Sequence, residues 1–137
     1  MSERATTLVD ANVLLDVAKE DPVWASWSAV ALAEAAERGG LAINPLIYAE
    51  VSVGFDRREL LDAVLPADEY ARLDLPWDAA FLAGKAFLAY RRAGGTRRSP
   101  LSDFYIGAHA AVAGMPLLTR DAGRYRTYFP KLELIAP

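Results

Sequence analysis

The chain has 137 residues, 53% of them hydrophobic and 24% charged, a balance that fits one folded domain over residues 1–137 and excludes a charge-dominated, disordered chain. It has no cysteine and one histidine, His109; this excludes disulfides, thiolate metal sites and thiol nucleophiles, and leaves too few imidazoles for paired-histidine ribonuclease chemistry or most zinc hydrolases. The net charge of −3 is unevenly spread, with 6 basic and 15 acidic residues in positions 1–84 against 9 basic and 3 acidic in 85–137.

The apolar runs, such as residues 29–33, are too short to span a bilayer, and the first residues lack an apolar signal core, so a cytoplasmic protein with no membrane partner is expected. Residues 6–9 are a β-branched strand ended by Asp10, and residues 11–19 continue as a helix with Val13, Leu14 and Val17 on one face. A second helix spans 22–38, opened by Pro22 and stopped by Gly39-Gly40. Residues 41–43 are a strand. Asn44-Pro45 then pairs a capping side chain with a proline and starts a helix running to about residue 55. Helices follow at 59–64 and 78–93, with a short strand at 70–73 between them. Ser99-Pro100 starts a helix that reaches about residue 113, and residues 116–119 and 132–135 are the last strands. Strands alternating with helices make this a parallel α/β sheet with covering helices.

Four acids have reasons to lie at one edge of that sheet. Asp10 and Asp121 follow strands, where open parallel sheets bind ligands. Glu50 has Leu46, Ile47, Val53 and Gly54 as its helical neighbours, so its carboxylate lies on or beside an apolar stripe and needs a cation. Asp103 opens a helix whose next residues on the same face, Gly107 and Ala110, are small enough to admit a ligand or another backbone. Taken singly, each acid also has a plain structural role open to it: a helix cap for Asp10, a turn for Asp121, a solvated stripe edge for Glu50, and a favourable helix dipole for Asp103. Taken together, four converging carboxylates repel one another unless a multivalent cation joins them. An all-oxygen set selects Mg²⁺ or Mn²⁺, ions that activate water without help from histidine.

The segments Leu8-Val9-Asp10-Ala11-Asn12-Val13-Leu14-Leu15-Asp16, Asn44-Pro45-Leu46-Ile47-Tyr48-Ala49-Glu50-Val51, Leu101-Ser102-Asp103-Phe104-Tyr105-Ile106-Gly107-Ala108-His109-Ala110 and Leu117-Leu118-Thr119-Arg120-Asp121 resemble, in order and spacing, the motifs of PIN-domain ribonucleases, particularly VapC toxins. The resemblance implies a three-layer α/β fold with about five parallel strands covered by helices on both faces. It implies that Asp10, Glu50, Asp103 and Asp121 are the catalytic, metal-binding quartet, with Asn12 and Thr119 orienting a carboxylate or a bound water. It further implies a toxin that cleaves RNA with Mg²⁺ or Mn²⁺, a homodimer, and a cognate antitoxin that blocks the site. Arg97, Arg98, Arg120 and Arg124 in the basic part are the expected RNA contacts.

Other residues carry weaker signals. Asp16, six residues after Asp10, is expected to face solvent, and His109, six after Asp103, to be packed or on the surface. Trp24, Trp27 and Trp77 suit core or dimer contacts better than base stacking. Tyr125 and Phe129 suit the core, although with Tyr128, Arg124 and Arg126 they form a mixture that single-stranded RNA would accept. A phosphatase using Asp10 as a nucleophile would want an acid where Asn12 stands, and a receiver-like Mg²⁺ domain would want adjacent acids near the first strand. A PIN-like interaction module without catalysis would have lost part of the quartet, which is complete.

Overall fold

The computed structural model describes residues 6–98 and 101–137. Five parallel strands form one sheet in the order β3-β2-β1-β4-β5: β1 Thr7–Val9, β2 Leu41–Ile43, β3 Tyr70–Arg72, β4 Leu117–Leu118 and β5 Leu134–Ile135. The helices are α1 Ala11–Ala18, α2 Ala25–Arg38, α3 Pro45–Ser52, α4 Arg58–Val64, α5 Trp77–Arg92, α6 Ser102–Ala113 and α7 Gly123–Tyr128. This is the expected three-layer α/β fold. None of these helices is long and apolar enough to cross a membrane.

Strand β1 lies in the middle of the sheet. Leu8 stands opposite Ala42 of β2 on one side and Leu117 of β4 on the other, and the N–H of Asp10 donates to Leu118 O at 2.8 Å. From β1 the winding runs outward to β2 and β3, then returns to β4 and β5 across the centre. The direction therefore reverses between β1 and β4, the place where α/β sheets open a ligand crevice at their carboxyl ends. Strands buried on both faces read as continuous apolar runs, and Leu8, Val9, Leu117 and Leu118 are fully buried.

Local chemistry sets the element ends. Asn44 Oδ1 accepts from Ile47 N at 2.9 Å and caps α3, whose first residue is Pro45. The second helix begins at Ala25 rather than at residue 22, because Asp21 Oδ1 accepts from Val23 N and Trp24 N at 2.9 and 2.8 Å and holds Pro22 to Trp24 in a turn. Gly114 takes φ +67° and ends α6. The expected start of that helix at Ser99-Pro100 lies outside the described residues, and its first described turn begins at Ser102. Helix α7 was not expected. It has six residues, too few to show an apolar period.

Two expectations about packing are corrected. Asp16 is 3% exposed: Ser28 Oγ donates to its Oδ2 at 2.9 Å, and Arg120 grips both oxygens through Nε and Nη2 at 2.8 and 2.9 Å. The turn that places Asp16 away from Asp10 points it at α2 and Arg120, not at solvent. Gly107 is small for the protein's own aromatic rings rather than for a ligand. A Cβ there would come within 2.6 Å of Phe129 and 3.0 Å of Tyr125. His109 is buried as expected, with Nδ1 3.0 Å from Asn44 Nδ2, and burial holds its pKa below the usual value. Asn44 thus caps α3 and ties it to α6, the helices that carry Glu50 and Asp103. Trp24 and Trp27 meet edge to face at 6.4 Å, whereas Trp77 is 90% exposed and belongs to no core.

Candidate metal centre

Asp10 is delivered by the end of β1 and held by three donors. Its Oδ1 accepts from Ala11 N at 2.8 Å, and its Oδ2 accepts from Thr119 Oγ1 and Tyr125 Oη, each at 2.9 Å. Thr119 follows β4, so the pairing of β1 with β4 sets their approach. The Thr119 oxygen receives Asn12 Nδ2 at 3.3 Å and Asp121 N at 3.1 Å, which leaves its proton for Asp10. Asn12 Oδ1 in turn accepts from Arg120 N at 3.1 Å. Asn12 and Thr119 thus form a chain of hydrogen bonds that ends on the Asp10 carboxylate.

Burial raises the pKa of Asp10 above the usual carboxylate range, against the pull of its Tyr125 and Thr119 bonds, and the charge of Asp103 raises it further. Glu50 behaves likewise: burial comes first, then the charge of Asp10, with Asp103 adding to both while Ser102 offers partial relief. Among the described residues, Glu50 Oε1 is buried without a hydrogen-bond partner. The structure thus brings Asp10, Glu50 and Asp103 within reach of one another's charge.

Asp121 stands one step out. Its side chain is exposed and it joins the group through its backbone N–H to Thr119. Placed two residues past Thr119, it forms the rim of the centre rather than its floor. Asp103 is half-buried, and Arg124 Nη1 donates to its Oδ2 at 3.1 Å. Among the described residues no three acidic or histidine side chains already stand close enough to close around an ion.

Sequence reasoning missed two groups. Tyr125 was assigned to the core, and its ring is buried there, but its hydroxyl serves Asp10; burial, with the charges of Asp10 and Asp103, holds that phenol protonated far above neutral pH. The available signal was a tyrosine in a basic stretch just after the last acidic motif. Asp16 with Arg120 is the second. An acid inside the apolar run of α1, with an arginine next to Thr119, was the sign of an internal ion pair. Arg120 is paired with Asp16, with its guanidinium 5.5 Å from the Trp24 ring. Arg97 and Arg98 are exposed, and the backbone N–H groups of Thr96 and Arg97 donate to Tyr90 Oη at 3.3 and 3.4 Å, so their loop is fastened beside the aromatic ring over which Arg124 lies.

The donor set suits a hard divalent ion. It is all oxygen, it includes one buried carboxylate oxygen with no partner among the described residues, and burial together with neighbouring carboxylate charge raises the pKa of Asp10 and Glu50. Fold and centre together define an α/β protein with an acidic, oxygen-only site at the switch point of a parallel sheet. The chain belongs to the PIN domain family, whose model matches residues 7–130.

Among solved structures, the chain is similar in fold to VapBC2 from Rickettsia felis bound to a promoter DNA fragment, at 18% identity over 96% of this chain and 98% of that one, with a TM-score of 0.74. It is similarly close to VapBC-1 from nontypeable Haemophilus influenzae, at 18% identity, 96% and 97% coverage and a TM-score of 0.72. A toxin–antitoxin complex from Klebsiella pneumoniae gives 20% identity, 94% and 95% coverage and a TM-score of 0.65. No curated protein matches the chain in sequence.

Proposed function

We propose that the chain is a VapC-type toxin, a Mg²⁺- or Mn²⁺-dependent endoribonuclease that a cognate antitoxin neutralises. The observation that carries this reading is Glu50 Oε1, a buried carboxylate oxygen with no partner among the described residues, facing the charges of Asp10 and Asp103. Such a group is costly to keep in a fold unless a cation completes it in use. Membership of the PIN domain family and the likeness in fold to VapBC complexes support the nuclease and the antitoxin partner, and the same reading includes a homodimer.

In this reading Asp10, Glu50 and Asp103 hold the ion and Asp121 assists from the rim. When bound, the ion supplies the charge that lowers the pKa of an attacking water and offsets the negative charge on the phosphoryl oxygens. The chain's own groups do the rest. Thr119 and Tyr125 fix the Asp10 carboxylate, and Asn12 orients Thr119. Arg97, Arg98 and Arg124 draw in the RNA backbone, with Arg120 held back in its ion pair. The reaction is a hydrolysis: a water oxygen bonds to phosphorus, one phosphoester P–O bond breaks, and the departing oxygen takes up a proton.

The test is Asp103→Asn. It removes one ligand charge at nearly constant volume and breaks only a half-exposed ion pair, so unfolding should change little while RNA cleavage in Mg²⁺ or Mn²⁺ falls by about two orders of magnitude or more. Cleavage within about threefold of wild type would remove Asp103 from the chemistry.

A further inference from the structure

Three arginines near the centre are held in three different ways. Arg120 binds both oxygens of the buried Asp16, an arrangement with no freedom to exchange. Arg97 is exposed on its loop. Arg124 is intermediate. It makes one Nη1–Oδ2 contact to Asp103, both side chains are more than a third exposed at 37% and 35%, and its guanidinium lies 5.8 Å from the ring centroids of both Tyr90 and Phe104.

We propose that Arg124 is an exchangeable counter-ion. It occupies Asp103 while the centre lacks a divalent ion, and when that ion takes Asp103 the guanidinium turns on its aromatic shelf to a phosphate of the RNA. This rests on the nuclease reading above and adds to it a residue that couples loading of the centre to grip on the substrate.

Three features of the structure carry the proposal. Asp103 is placed to serve the ion, and Arg124, which sits on its Oδ2, competes with the ion for that oxygen. An exposed, single-contact ion pair is weak, whereas a divalent ion is drawn by several carboxylates at once. Leaving Asp103 does not strand the guanidinium either, because Tyr90 and Phe104 keep a cation near their faces whichever way its fork points. The pivot is also fixed. The next residue, Tyr125, is buried with its hydroxyl on Asp10, so the backbone of Arg124 stays at the edge of the centre while only the side chain moves. A guanidinium released there meets phosphate in the two-donor geometry it had not used on Asp103.

The experiment pairs Arg124→Met, which keeps much of the apolar length, with Arg124→Lys, which keeps the charge without the fork. Mn²⁺ affinity is measured by titration calorimetry on the RNA-free protein, and RNA cleavage separately at saturating Mn²⁺. Removing a competing cation of this strength should tighten Mn²⁺ binding roughly threefold to fivefold in Arg124→Met and less in Arg124→Lys. Both variants should cleave more slowly once saturated, Arg124→Met by about tenfold or more. Unchanged or weaker Mn²⁺ binding by Arg124→Met overturns the exchange. Tighter binding with wild-type cleavage overturns the transfer to phosphate. If wild-type protein cleaves no RNA at saturating Mn²⁺, the nuclease reading falls by that result alone, and the exchange stands or falls on the Mn²⁺ affinities.

Discussion

Replacing Glu50 with glutamine removes one charge from the centre at almost constant volume, and its effect should change sign with the metal. In chelator, wild-type Glu50 has a buried oxygen without a partner and faces Asp10 and Asp103. Folding therefore holds the pKa values of Glu50 and Asp10 above their unfolded ones. A raised acid pKa means that the folded chain binds more protons than the unfolded chain between the two values. The contribution of these two groups to metal-free stability is thus fully present below about pH 4 and is lost as pH rises through the raised values. Glu50→Gln removes the Glu50 share of that loss. Glu50 is only half-buried, so solvent screening limits the gain at neutral pH to about 1 kcal/mol, or a rise of roughly 3–5 °C in Tm. Saturating metal should reverse the order. An ion at one hundred times its Kd adds about 2.7 kcal/mol to wild type, and the variant, short of one ligand, should gain much less. Urea or thermal unfolding of both proteins, in chelator and in Mn²⁺ from pH 5 to 8, reads each term. A variant less stable than wild type by more than about 1 kcal/mol in chelator, or one with an equal Mn²⁺ gain, would show that Glu50 is a packing group and refute the reasoning.

Arg120→Ala should destabilise the fold by about 3 kcal/mol, measured by urea unfolding, because it leaves the Asp16 carboxylate buried with Ser28 as its remaining side-chain donor. A loss below about 0.5 kcal/mol would mean that solvent reaches Asp16. Changing Arg97 and Arg98 together to glutamate should weaken RNA binding and flatten its dependence on salt while leaving Mn²⁺ affinity close to wild type, and an unchanged salt slope would take both residues off the RNA path.

Much of this arrangement was legible in the sequence because it is written in short, strongly patterned pieces. The apolar runs around Leu8, Ala42 and Leu117 are buried strands, and the acids that follow the first and last of these fall at the carboxyl edge because strands end there. Glu50 was legible as an acid misplaced on an apolar stripe. Asp121 shows the limit: position after a strand fixes where the backbone goes, but not whether the side chain turns inward, and here it is exposed. The contacts that tune the centre were not legible. Tyr125 meets Asp10 across 115 positions and Arg120 meets Asp16 across 104, and no local period encodes such pairs. Gly107 was read as room for a ligand or another backbone because its smallness shows in the sequence, whereas the Phe129 and Tyr125 rings that fill the room do not.

The central position of β1 has a consequence in time. Asp10 is synthesised 109 positions ahead of its partner Thr119, and β1 has an open edge until Leu117 and Leu118 arrive beside it. At roughly 5–20 residues per second, a growing chain waits about 5–20 s between making Asp10 and making the threonine that orients it. Throughout that interval the strand exposes unpaired backbone groups, and Asp10 lacks both of its side-chain donors. Any fragment ending before residue 117 leaves the sheet half built. The chemistry proposed for this chain thus waits on synthesis of Leu117 to Tyr125, and termination before that segment yields a protein without a centre rather than a smaller active one.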